Sequence, residues 1–276
     1  MKKRRIIINI AVIVILVGIV SVCFVRPKLR EGTNSHLYNS LQSSAQATSK
    51  PSSTPVSNLS SIAAMNSDFK GWLQIPGTNI SYPITQTSDN TYYLTHSYDK
   101  KNGWYGTPFI DFRDKLDSTP SQNLIIYGHN MGDDQMFHEL VNYEDPSFYS
   151  KAPSIWFQTL NGTQKWKIFA AFYANPDANQ GDVFYYLNTS FQSQTSFTNF
   201  TNECVKRSLF KSTVDLQAND RIMTLSTCSY TFNDARLVVM ARLVRNGEDA
   251  TDATDVKTPP PQMPQIWHKE AKSGVR

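Results

Sequence analysis

Between residues 71 and 244 one pattern recurs eight times: a short run of β-branched and aromatic residues bounded by Gly, Pro, Asn or Asp. The runs cover 71–75, 79–84, 107–111, 123–127, 154–159, 164–173, 221–227 and 235–244. Runs of this length and make-up read as strands, and the turn residues between them keep each strand short. The text that carries them is about 180 residues long, one ordinary domain. Eight short strands in one domain leave a barrel or a sandwich as the ways to hide the sheet edges. Helical spacing is confined chiefly to two stretches, 135–141, with Asp133 and Asp134 as capping candidates, and 191–209. In the second, Phe197, Phe200, Cys204 and Leu209 fall near helical intervals, so Cys204 reads as a small core residue on a helical insertion between two strands.

Outside that domain the composition changes sharply. Residues 6–25 are Ile, Val, Leu, Ala and Phe, interrupted only by Asn9, Gly18, Ser21 and Cys23. As a helix this run spans about 30 Å, the hydrocarbon thickness of a bilayer. It exceeds the apolar core of a usual signal peptide, and no small-x-small cleavage site follows, so it is expected to be an uncleaved transmembrane anchor. Cys23 is preceded by Val22 where a lipidation signal has a small residue, and reads as a plain membrane-helix cysteine. Lys2, Lys3, Arg4 and Arg5 on one side outnumber Arg26, Lys28 and Arg30 on the other, which favours a cytoplasmic N-terminus and an extracytoplasmic domain. The expected organisation is a cytoplasmic basic tip at 1–5, the anchor at 6–25, a flexible Ser/Thr/Pro-rich stem at 26–61, the folded domain at 62–245, and a disordered polar and Pro-rich tail at 246–276.

The same segmentation disposes of the net charge of +4. Seven basic residues and no acids lie in residues 1–30, which leaves 20 Lys and Arg against 23 Asp and Glu elsewhere. A domain with no basic surplus has little to offer a phosphate backbone, and nucleic acid is excluded as a partner. Cys23, Cys204 and Cys228 make no disulfide framework, and no Cys/His pair has zinc-ligand spacing. No acidic cluster recommends calcium either. There is no GxxxxGK[ST] loop and no GxGxxG turn, so nucleotide cofactors are not expected and any chemistry rests on side chains.

Side chains at strand ends are the ones a rigid scaffold places accurately. The strand Asn123-Leu-Ile-Ile-Tyr127 breaks at Gly128 and delivers His129 just past its end. The strand Arg221-Ile-Met-Thr-Leu-Ser-Thr227 runs into Cys228, and Arg236 opens the last strand. Taken singly these are a turn histidine, a buried thiol and a solvated charge. Together a thiol, an imidazole and a guanidinium form a set suited to acyl transfer. A thiol of ordinary pKa near 8.5 needs a neighbouring base or positive charge to attack an amide. His129 is the candidate for proton transfer. Arg236, always protonated, is the candidate for holding a developing oxyanion or the substrate backbone. His96 and His138 read as structural, the latter on an exposed helix face, and Asp111 and Asp234 as loop carboxylates rather than triad acids.

These strings resemble the sortases of Gram-positive bacteria, membrane-tethered cysteine transpeptidases. Thr224-Leu-Ser-Thr-Cys228 with Arg236 downstream and Tyr127-Gly-His129 upstream carry the likeness, and the fuller strings 127–137 and 220–228 are similar to class B in particular. So are Gly71-Trp72-Leu73, Tyr82-Pro83-Ile84 and Phe109-Ile-Asp-Phe-Arg113. The resemblance runs from about Met65 to Val244. It implies a mainly β fold, an eight-stranded sortase-type β-barrel with peripheral helices and a helix-containing excursion between the sixth and seventh strands. It implies Cys228 as nucleophile, His129 as general acid and base, and Arg236 as substrate and oxyanion stabiliser. Asn90, Leu94 and Ser226 are then expected to line the sorting-signal groove. Ser229 departs from class B members that carry an acidic residue directly after the cysteine. The implied partners are sorting signals of the Asn-Pro-x-Thr type on surface proteins, an amine of the peptidoglycan cross-bridge or its precursor, and the lipid bilayer through the N-terminal helix. Two alternatives are a cell-wall cysteine peptidase of papain or NlpC type, in which the cysteine precedes the histidine and starts a helix, and a non-catalytic module with a sortase-like barrel.

Overall fold

The computed structural model describes residues 26–45, 58–248 and 261–267. All eight strand-like runs become strands, with ends within two residues of those read from the sequence. They are β1 Phe69–Gln74, β2 Ser81–Thr85, β3 Phe109–Ile110, β4 Asn123–Tyr127, β5 Ser154–Thr159, β6 Gly162–Ala174, β7 Ile222–Cys228 and β8 Arg236–Leu243. They close into a barrel in the order β1-β2-β3-β4-β7-β8-β6-β5. Closure removes the free edges that an open sheet would expose to other chains. β4 and β7 are parallel neighbours, whereas β7 and β8 are antiparallel. The barrel interior holds Trp72, Trp166, Ile126, Leu225 and Val239, all buried.

Among the described residues four α-helices decorate the barrel: α1 Arg26–Ser44, α2 Leu59–Met65, α3 Pro146–Tyr149 and α4 Gln194–Arg207. α4 lies between β6 and β7, where helical spacing places it. Ser193 caps it, its hydroxyl accepting from the Ser196 N–H while the Ser196 hydroxyl faces the Ser193 N–H. Its inner face packs Phe197, Phe200 and Cys204 on Phe169, Phe172 and Met240 of the barrel wall. Cys204 is fully buried and burial pushes its thiol pKa well up, which suits an inert core residue.

Three expectations give way. The helix expected over 135–141 is a 3₁₀ helix at His138–Glu144, and neither Asp133 nor Asp134 caps it. Asp134 and Met136 have φ of 64° and 59°, in the left-handed region, so a right-handed helix cannot pass through them. Residues 129–137 instead fold back as a tight loop, closed by the Phe137 N–H donating to the His129 carbonyl at 2.8 Å.

The expected flexible stem contains α1, which docks on the barrel. Tyr38, Leu41 and Ala45 are buried. The Tyr38 hydroxyl donates to the Gly106 carbonyl and lies 3.0 Å from the Thr107 hydroxyl. Averaged composition hides this helix; its buried Tyr38 and Leu41, with Ala45 just past its end, fall three and four residues apart and so share one face. Leu59 and Ile62 of α2 are buried as well.

The expected tail also packs in part. Glu248 pairs with Lys167 at 2.9 Å and with the buried Arg242. Met263, Ile266 and Trp267 lie against the core, Trp267 with its ring 5.0 Å from that of Tyr173. The basic tip and the apolar run 6–25 fall outside the described residues; among the described residues no helix is long and apolar enough to cross a membrane.

A docked α1 carries a stability consequence that a flexible stem does not. Replacing Leu41, 2 % exposed, by Ala is expected to lower the unfolding free energy by about 2–5 kcal/mol, as large-to-small core changes do. A urea titration of Leu41→Ala that superimposes on the parent curve contradicts the docking.

Candidate active site

The strand register assembles the site. Along the parallel β4–β7 ladder Tyr127 stands opposite Ser226. The ladder extends one step further, the Gly128 N–H donating to the Ser226 carbonyl at 3.2 Å, and the chain then turns out with His129 beside the end of β7. Across the antiparallel β7–β8 ladder Cys228 pairs with Arg236. Cys228, His129 and Arg236 therefore meet at one end of the barrel. With Asn90, Leu94 and Ser226 they line a single cavity of about 370 Å³. All six residues selected from the sequence share that wall.

Each group is held by local geometry. Gly128 is needed for closeness, since a Cβ there would come within 2.5 Å of the Phe137 ring. The His129 Nε2 lies 2.8 Å from the Leu94 carbonyl. A carbonyl only accepts, so Nε2 carries the hydrogen and Nδ1 is the basic nitrogen of the neutral ring. The Arg236 Nη1 donates to the Asp234 and Ala235 carbonyls at 2.8 and 3.1 Å, which anchors the fork against its own turn. Asp234 itself is exposed, with φ of 57°, and meets Arg236 through its backbone rather than its carboxylate. The Cys228 thiol is half-buried. The Cys228 carbonyl accepts from Asn130 Nδ2 at 2.9 Å, which fastens the loop after His129 to the end of β7.

Two further histidines lie near the site with partners of their own. His96 stacks on Tyr92 with centroids 4.0 Å apart and holds the Tyr92 carbonyl at 2.8 Å. His138, expected on an exposed helix face, is half-buried, 2.6 Å from Asn130 Oδ1 and 3.2 Å from the Asp134 carboxylate. The reason is the fold-back of residues 129–137, which carries Asn130 over the 3₁₀ helix.

Asp111 departs furthest from its reading as a loop carboxylate. It is wholly buried. Burial pushes its carboxyl up, but hydrogen bonds from Arg113, Tyr127 and Asn90 outweigh that and hold it at about 2. Asp114, three residues on, is shifted the other way. Burial pushes it up to about 6 despite the Ile125 N–H donating to it at 2.8 Å, and its Oδ1 finds no hydrogen-bond partner.

Sequence reasoning misses the cavity wall supplied by the loop between β6 and β7. Pro176, Tyr186 and Leu187 line it, and the Tyr186 hydroxyl lies 2.9 Å from that of Ser226. The signal is present in Phe184-Tyr185-Tyr186-Leu187, an apolar run inside an otherwise polar segment. A second cavity, about 400 Å³, shares His129 and Leu94 with the first and is flanked by the exposed Trp104 and Tyr230. Among the described residues no three His, Cys, Asp or Glu side chains are grouped to hold a metal ion.

Comparison with known proteins identifies the family and the fold. A family model described as the sortase domain matches residues 73–244. Sortase B of Listeria monocytogenes is 35% identical over 188 residues, covering 67% of this chain and 74% of that protein. Among solved structures, the Staphylococcus aureus sortase B–substrate complex superposes with a TM-score of 0.68 at 29% identity, over 79% of this chain and 99% of that one. A sortase B complexed with triglycine superposes with a TM-score of 0.64 at 31% identity, over 79% and 98% of the two chains.

Asp114 gives the domain a pH signature. Its folded pKa of about 6 lies above the unfolded value of about 3.9. The stability tied to its protonation is therefore fully present below pH 4 and is lost as pH rises through 6, on the order of 2–3 kcal/mol in all. Asp114→Asn, which stays neutral, is expected to abolish that part of the slope in denaturant titrations between pH 4.5 and 7. Parallel profiles for variant and parent contradict the assignment.

Proposed function

The chain belongs to the sortase family, class B, and is a cysteine transpeptidase; from that premise we propose that it cleaves a C-terminal sorting signal of the Asn-Pro-x-Thr type after Thr and transfers the acyl group to a peptidoglycan amine. The observation that carries this reading is the shared cavity, in which a thiol, an imidazole and a guanidinium face one groove between β4, β7 and β8.

The reaction divides into two acyl transfers. The Cys228 thiolate attacks the Thr carbonyl carbon, and the negative charge that moves to the carbonyl oxygen is met by the Arg236 guanidinium. The C–N bond then breaks, the departing amine takes a proton from His129, and a thioester remains on Cys228. An amino group attacks that thioester and His129 removes its proton. The C–S bond breaks and the thiolate returns. No electron is gained or lost, and no cofactor enters. Water in place of the amine gives hydrolysis, so transfer depends on an amine reaching the thioester ahead of solvent. The cavity on the far side of His129, open to solvent beside Trp104 and Tyr230, supports an approach for that amine which does not cross the signal peptide.

Residues 6–25 serve in this reading as a single-pass anchor in the cell membrane, with the N-terminus cytoplasmic and the catalytic domain outside. A substrate class made of surface proteins and wall precursors suits that placement. Asn90, Leu94 and Ser226 contribute to the groove as walls. The Asn90 amide is already engaged with Asp111 and the Phe112 N–H, and the Ser226 hydroxyl with Tyr186.

An Asn-Pro-x-Thr peptide is expected to leave a thioester on the enzyme, seen as an intact-mass increment and released by hydroxylamine. Cys228→Ala and His129→Ala are each expected to bring kcat/KM near background. Arg236→Lys is expected to lose about 10²–10³-fold, the usual cost of an oxyanion donor, because an ammonium lacks the planar fork. Transpeptidation retained by Cys228→Ala overturns the reading.

A further inference from the structure

The string Phe109-Ile-Asp-Phe-Arg113 has no part in the chemistry above, yet its buried carboxylate, behind the groove wall, gathers several donors that include residues of that wall. Five donors converge on Asp111: the Arg113 N–H at 2.9 Å, Arg113 Nε and Nη2 at 2.8 Å each, Asn90 Nδ2 at 3.0 Å and the Tyr127 hydroxyl at 2.8 Å. These donors come from separate parts of the groove. Asn90 precedes the 3₁₀ turn Tyr92–Leu94, whose last carbonyl holds His129. Tyr127 ends β4, two residues before His129. Arg113 then reaches across to the β6–β7 loop, where Nη1 meets the Tyr185 hydroxyl and Nη2 the Leu187 carbonyl, both at 3.2 Å.

Asn90, Tyr127 and Leu187 all line the cavity of Cys228. One carboxylate, extended by one guanidinium, therefore ties three of its walls together. A neutral residue cannot replace it. Asn has a single acceptor oxygen and would turn an NH₂ toward groups that are themselves donors. Burying an anion costs several kcal/mol unless it is paired and hydrogen-bonded. The chain meets that requirement behind the groove wall rather than filling the position with an apolar side chain.

We propose that Asp111, acting through Arg113, Asn90 and Tyr127, is a positioning residue that fixes the width of the acyl-donor groove and so governs how well the signal peptide binds. Neither Asp111 nor Arg113 touches the reacting atoms. The proposal rests on the sortase reading above. It assigns to this pair an effect on the first half-reaction only, because the thioester, once formed, needs the groove less than the incoming peptide does.

The test is steady-state kinetics of the full chain with an Asn-Pro-x-Thr peptide, together with the rate of hydroxylamine release from the preformed thioester. Asp111→Asn and Arg113→Ala are expected to raise KM at least 10-fold, with kcat and hydroxylamine release within about 3-fold of the parent. Arg113→Lys, which keeps the charge but not the fork, is expected to leave KM raised. Thermal melts accompany each variant. Should Asp111→Asn fail to fold, Arg113→Ala, whose side chain is 37% exposed, decides the matter. A folded Arg113→Ala with the parent KM overturns the proposal, and so does a loss that falls equally on KM, kcat and hydroxylamine release. A parent that forms no thioester brings down the function and the proposal together; a parent that forms one while its variants keep its KM brings down the proposal alone.

Discussion

The hydrogen-bond register between three strands is the constraint on which the rest depends. Cys228 and Arg236 face each other because β7 and β8 pair antiparallel in one register, and His129 arrives beside them because β4 runs parallel to β7. A slip of one residue in either ladder would turn the thiol or the guanidinium to the other face of the sheet. The register is held by burial on both faces of β7, where residues 222–227 are buried on both sides of the strand. Inward packing of Leu225 on the barrel core and outward packing of Ile222 under α4 pull in opposite directions on alternate residues, and only one alignment satisfies both. The core therefore does more than stabilise the domain: it sets the spacing of Cys228, His129 and Arg236.

Charge is used differently at the two ends of the barrel. At the far end the buried Arg242 is held by Glu248, with Asp215, Asp220 and Arg245 around it. This cluster staples the chain after β8 to the start of β7, and none of its members lines the catalytic cavity. At the Cys228 end the buried carboxylate is Asp111, and two of the residues it gathers, Asn90 and Tyr127, line the cavity. Asp114, close in sequence but without enough donors, shows what the same burial does to a carboxyl that is not gathered in: it is pushed toward its neutral form.

Much of this is legible in the sequence because strand signals are local. β-branched runs between turn residues announce all eight strands, and the strings around His129 and Cys228 mark where two of them end. The helix within the β6–β7 excursion is legible for the same reason, its aromatic residues falling at helical intervals. What escapes depends on contacts between distant segments. The docking of α1 turns on three small patches of apolar surface, at Tyr38, Leu41 and Ala45, in a segment whose average composition is that of a linker. The fold-back of 129–137 turns on left-handed backbone at Asp134 and Met136, which no propensity favours at a methionine. The contacts of Asp111 cannot be read from its neighbours, since Asn90 and Tyr127 are distant in the chain and Tyr127 meets it only when β3 and β4 pair.

The proposed reaction requires the Cys228 sulfur to be acylated in the cavity that Asn90, Leu94 and Ser226 line. The most direct measurement is a crystal structure of the chain carrying a signal-peptide analogue on Cys228. The predicted result is a peptide extended along that cavity, its Thr carbonyl oxygen within hydrogen-bond distance of the Arg236 guanidinium and His129 Nδ1 turned toward the site of the departing amine. A peptide bonded to Cys228 but lying outside the cavity, with Arg236 and His129 facing solvent, contradicts it.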